Sequence, residues 1–152
     1  FGSFGIEWDL TEAAPDDLDR LAQWCARYRR LRPLLQSGRM VRIDTSDPTV
    51  LAHGVIAADA RSALIAHVQL DESAHNRGVV LKIPRLDREA SYRLEWAGPV
   101  DHAHLSVAPP LDPAGPTRGV PLSGAVLADL GIWLPRRRPE TIQLISLNTL
   151  VQ

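Results

Sequence analysis

Residues 38–70 read GRMVRIDTSDPTVLAHGVIAADARSALIAHVQL, and the hydrophobic period inside this stretch decides the fold class. Apolar runs at Met40 to Asp44, Val50 to Ala57 and Ala63 to Leu70 are each too short for a stable helix and rich in Val, Ile and Leu. Turn clusters at Thr45 to Pro48 and Ala58 to Arg61 separate them. Runs of that length between Pro, Gly, Asp and Ser clusters read as β-strands. Further strands are expected at Gly78 to Ile83, Ser91 to Trp96, His104 to Ala108 and Thr141 to Val151, with turns at Asp71 to Arg77, Pro84 to Glu89 and Ala97 to Asp101. Short strands at this spacing predict a sandwich or barrel. The Pro- and Gly-rich stretch Pro109 to Pro121 reads as a surface loop. Ser123 should cap a short helix over Gly124 to Leu130 that Gly131 ends, after which Ile132 to Pro135 returns to extended chain.

Upstream of Gly38 the period is different. Pro15 stands where a first helical residue should be, with Asp16 and Asp17 in the first turn. Leu18, Leu21, Ala22, Cys25, Tyr28 and Leu31 recur at three- and four-residue steps, so one face of this helix must pack on something large. Arg27, Arg29, Arg30 and Arg32 suit the far end of the helix dipole. Pro33 should kink or end the helix, and Ser37-Gly38 should close the segment in the left-handed conformation. Before the helix, Ile6, Trp8 and Leu10 alternate with Glu7 and Asp9, the period of a strand. A strand followed by an amphipathic helix is half of a β/α unit, and such a strand needs parallel neighbours to satisfy its backbone. The expectation is therefore an upstream barrel or doubly wound sheet whose last unit is Ile6 to Gln36. The chain opens on Phe1 without an initiator Met and reads as a piece of a longer one.

Composition narrows the function classes. With 152 residues, 45% of them hydrophobic, the chain can bury one core but hardly two. A formal net charge of -1 gives no electrostatic reason to expect nucleic acid or an anionic membrane. No stretch reaches the roughly 20 apolar residues that span a bilayer. The amino terminus lacks the order of a secretory signal, which favours a cytoplasmic over a secreted location. Cys25 is the only cysteine and cannot form an intrachain disulfide. No phosphate loop, nucleophile elbow or zinc-protease motif is present, and no cofactor is implied. Among His53, His67, His75, His102 and His104 only His102 and His104 lie close in sequence, and no third metal ligand accompanies them, so no metal site is expected.

Several runs, taken in order, resemble the end of family-36 glycoside hydrolases, the melibiase-type α-galactosidases. They are Phe4-Gly5-Ile6-Glu7-Trp8-Asp9-Leu10, Tyr28-Arg29-Arg30-Leu31-Arg32-Pro33-Leu34-Leu35, Ser37-Gly38-Arg39 and His53-Gly54-Val55-Ile56-Ala57. Ala63-Leu64, Leu86-Asp87 before Tyr92, Leu122-Ser123-Gly124 and Pro139-Glu140 continue the likeness. The resemblance implies a catalytic (β/α)8 barrel whose last strand and helix are residues 1–38, followed by an antiparallel β-sandwich over residues 39–152. It also implies a retaining enzyme acting on α-galactosides, with both catalytic aspartates on earlier barrel strands, and leaves open a homo-oligomer of the full-length protein. Neither aspartate motif occurs here, so no catalytic residue carries over.

Glu7, Trp8 and Asp9 remain the candidates for substrate contact. Glu7 and Asp9 share a face of the expected strand, and barrel active sites form at strand ends. The competing reading makes both carboxylates satisfied polar positions opposite an apolar stripe, and the resemblance argues against catalysis there. Trp8 either walls a sugar pocket or packs in a core. A rival function is a carbohydrate-binding module in which Trp96 or Trp133 stacks on a sugar. A further one is a family relative that transfers galactose or acts on another α-glycoside.

Overall fold

The computed structural model describes residues 3–74, 78–97 and 121–150. The 23-residue helix α1 (Pro15–Ser37) comes first. Strands β1 (Arg39–Ile43), β2 (Val50–Ile56), β3 (Ser62–Gln69), β4 (Val79–Leu81), β5 (Ser91–Trp96) and β6 (Leu122–Ser123) follow. Helix α2 (Gly124–Asp129), β7 (Ile132–Leu134) and β8 (Thr141–Thr149) complete the order. The chain is mainly β, as expected from the short apolar runs, and its described strands pair antiparallel, as the resemblance implies. The strand expected at His104 to Ala108, the Pro109–Pro121 loop apart from its last residue, and the His102/His104 pair lie outside the described residues.

Six strands form one sheet in the order β1-β2-β3-β8-β5-β6, and β4 pairs with β7 in a second, two-stranded sheet. All the described pairings are antiparallel. The period-2 pattern sets which residues face inward. In β8 the buried positions are Gln143, Ile145 and Leu147, and in β5 they are Tyr92 and Leu94. Opposite them, Leu81, Ile132 and Leu134 of the small sheet and Leu127 of α2 close the core. β3 differs because Ala63, Leu64, Ile65, Ala66 and His67 are all buried, so this central strand is covered on both faces.

Turns carry the sandwich. Asp47 holds its turn by accepting from the Thr49 amide at 2.9 Å and from Thr49 Oγ1 at 2.6 Å. The Tyr92 hydroxyl donates to the Ala60 carbonyl at 2.7 Å and accepts from the Asp87 amide at 2.9 Å, tying two turns to β5. Ser123 caps α2 as expected, accepting from the Val126 amide at 3.2 Å. Gly131, at φ 77, provides the left-handed stop. A Cβ there would also stand 2.4 Å from the Leu81 carbonyl oxygen, so only glycine fits.

Four local expectations give way. Residues Ile6–Leu10 form no strand, because no neighbouring backbone runs alongside them among the described residues. Pro33, expected to kink or end α1, does not end it, and the helix continues to Ser37. The missing Pro33 N–H would have served the carbonyl of exposed Arg29, where water can substitute. Gly38 is extended, with φ -76 and ψ 167, and its amide closes the last turn on the Leu34 carbonyl at 2.8 Å. With the helix prolonged to Ser37, its last turn contains no basic residue, and the four arginines lie one or more turns too early to serve the dipole.

Candidate functional site

The three sequence candidates fall in the segment that leads into α1. Phe4 stacks on Tyr28, with ring centroids 5.4 Å apart and an interplanar angle of 26°. That contact lays the segment along the helix. Between them runs a groove of about 410 Å³ lined by Phe4, Gly5, Ile6, Glu7, Trp8, Leu21 and Trp24. Ile6, Glu7 and Trp8 are consecutive and all border one groove, which a pleated strand with alternating faces would not allow.

Glu7 and Trp8 are therefore brought together, and Asp9 is not one of the lining residues. Its carboxylate accepts from the Thr11 amide at 2.9 Å and from Thr11 Oγ1 at 2.7 Å, a local turn that needs no ligand. The Thr11 hydroxyl bond holds the Asp9 carboxyl below its ordinary range, with the Thr11 amide adding to the effect. The groove thus offers one carboxylate, from Glu7, whereas retaining glycoside cleavage uses two at about 5 Å.

Trp24, which the sequence reading passed over, is the other large aromatic in the groove. It is 40% exposed and Trp8 is 48% exposed. The Arg27 guanidinium sits 4.8 Å from the Trp24 ring centroid, so one of the basic residues of α1 is engaged with an aromatic face. Trp24 lies three residues after Leu21 and one before Cys25, at the margin of the apolar stripe, and its helical spacing was the available signal. The two sandwich tryptophans are less exposed. Trp96 packs against the core, and Trp133 is half-buried on β7 opposite Val80.

No residue of α1 is buried. Among the described residues the short leading segment lies along its apolar face, and Phe4, Ile6, Trp8, Leu10, Leu18 and Trp24 stay exposed. A run of exposed large apolar residues of this kind marks an interaction surface.

Elsewhere the polar groups serve structure. Arg136 pairs with Glu72, and Arg88 binds Asp129 through two contacts at 3.1 and 2.6 Å. His67 is 1% exposed, and burial, reinforced by the Arg137 charge, lowers it to about 4, so the imidazole is neutral near pH 7. Burial also lowers His53. Among the described residues no three His, Cys, Asp or Glu side chains converge as metal ligands, and no helix is long and apolar enough to cross a membrane.

Comparison with known proteins places these features. No family model matches the chain. The α-galactosidase of Escherichia coli is 29% identical over 157 residues, covering 99% of this chain and 22% of that enzyme. The α-galactosidase AgaA of Geobacillus stearothermophilus is 28% identical over 98 residues, 64% of this chain and 13% of the enzyme. This chain thus spans about a fifth or less of the curated relatives it matches. Among solved structures, the α-galactosidase of Lactobacillus brevis superposes with a TM-score of 0.71 at 21% identity, covering 96% of this chain and 18% of that one. A family-36 AgaA variant from G. stearothermophilus, in complex with raffinose, gives 0.69 at 20% identity over 93% of this chain and 17% of that one. At that identity the structural likeness speaks for the fold. The resemblance to the carboxy-terminal part of family-36 α-galactosidases is borne out in sequence and in fold.

Proposed function

We propose that this segment is the structural, non-catalytic carboxy-terminal part of an α-galactosidase-like glycoside hydrolase that, at full length, hydrolyses terminal α-galactosides with retention. One observation carries the reading: the chain aligns along 99% of its own length with an α-galactosidase of which it spans only 22%. Residues 1–38 are then the last strand and helix of the catalytic (β/α)8 barrel, and residues 39–152 the sandwich that follows it. The exposed apolar face of α1 and its leading segment supports this division, since barrel packing would cover it. Ile6 to Leu10 would become a strand only when parallel neighbours satisfy its backbone.

The two carboxylates of the double displacement lie outside residues 1–152 in this reading, and Glu7 and Trp8 contribute at most to the wall of the substrate site. Residues 1–152 alone should show no turnover of a chromogenic α-galactoside, whereas the full-length protein turns it over. Activity of the short chain would sink the proposal.

The groove favours one other reading. Two exposed tryptophans beside a carboxylate are what a sugar-binding surface offers, a stacking face with a hydrogen-bond acceptor. Quenching of tryptophan fluorescence in residues 1–152 by galactose or raffinose, absent in a Trp8→Ala/Trp24→Ala variant, would favour a binding module over a structural role.

A further inference from the structure

The core face of the six-stranded sheet has an apolar end and a polar end. Inward positions along β3 run Ala63, Ile65, His67 and Gln69, and those of β8 opposite run Leu147, Ile145 and Gln143. His67 lies directly opposite Gln143, and each is 1% exposed. Gln69 is satisfied, its amide nitrogen donating to Thr49 Oγ1 at 3.0 Å and to the Asp71 carbonyl at 2.8 Å. His67 Nε2 and Gln143 Oε1, by contrast, are buried atoms with no hydrogen-bond partner among the described residues. Buried polar atoms in folded proteins are nearly always paired, with protein or with ordered water. Two such atoms on facing side chains of adjacent strands are best explained together.

We infer that a single buried water is bound between His67 Nε2 and Gln143 Oε1, and that this bridged pair fixes the register of β8 on β3. The amide oxygen only accepts, while the neutral imidazole presents either an N–H or a bare nitrogen at Nε2. Water suits both cases. It donates one hydrogen to Oε1 and either accepts from the N–H or donates its second hydrogen to the bare nitrogen. A slip of two residues is the smallest that keeps Ile145 and Leu147 facing inward. In one direction it sets Gln143 against Ile65 and His67 against Thr141; in the other it sets His67 against Ile145. Either slip separates the two orphan atoms, whereas the apolar positions would tolerate the exchange.

A crystal structure of the protein at its natural length, at a resolution that places waters, tests the bridge directly. A density peak within about 2.7–3.2 Å of both atoms is expected. A direct His67–Gln143 hydrogen bond, or no peak between them, overturns the inference. Thermal midpoints give a second readout. Gln143→Leu alone should lower the midpoint by about 3 °C or more, and adding His67→Leu should recover part of that loss because no orphan remains. Losses that simply add would contradict a shared water. If the single variants do not fold, the wild-type density alone decides.

Discussion

At the level of single residues, two buried side chains carry measurable consequences. Tyr92 is fully buried, and its hydroxyl links the Ala60 and Asp87 turns. Tyr92→Phe keeps the ring but strands the Asp87 amide and the Ala60 carbonyl. The expected loss is about 1–3 kcal/mol in denaturant unfolding, and an unchanged midpoint would show that neither bond matters. His67 is held neutral by burial, with a folded-state value of about 4 against 6.5 in the unfolded chain. Between those values the unfolded state binds the extra proton, so stability is complete above about pH 6.5 and declines as the pH falls toward 4. The gap is worth roughly 3 kcal/mol at about 1.4 kcal/mol per pH unit. His67→Gln should flatten the stability profile between pH 7 and pH 4 relative to wild type; equal slopes in both proteins would contradict it.

Among the elements, α1 is the one whose surroundings and sequence disagree. Its pattern calls for a packed face, and yet none of its residues is buried. Substitutions on that face should therefore leave the sandwich of residues 1–152 as stable as before while reducing self-association. Trp8→Ser/Trp24→Ser in that short chain should change the thermal midpoint by less than about 1 °C, since it removes exposed surface contacts alone, and should shift sedimentation toward monomer. In the full-length protein the same pair should lower stability sharply, because the face would there be covered. No difference between the two contexts would count against a barrel partner. Much of the element pattern was legible beforehand. Ser91–Trp96 matched its expected bounds, and the Ser123 cap and Gly131 stop were visible because each obeys a local rule. Pro33 and Gly38 misled for a related reason: solvent repairs a missing helix bond at an exposed site, and an amide can close a last turn without left-handed geometry.

For the whole molecule, six of the eight described strands could be read from period and turns and their antiparallel pairing from the resemblance, but β6 and the strand order could not. Nothing local to Thr141–Thr149 says that it inserts between β3 and β5. The candidate site was half legible. Glu7 and Trp8 meet in a groove, yet Asp9 turns away to Thr11, because a carboxylate two residues before a threonine finds its partner at once. Trp24 was hidden in a helical pattern that gives core and surface aromatics the same spacing.

The position of β8 has a consequence for synthesis. β1 to β3 and β5 to β6 flank a slot that residues 141–149 fill. During translation the two flanks must wait, each with an open edge, until Thr149 has cleared the ribosomal exit tunnel. That interval is when chaperone binding would matter most. A premature stop codon between residues 124 and 140 would release two half-sheets instead of a shortened domain.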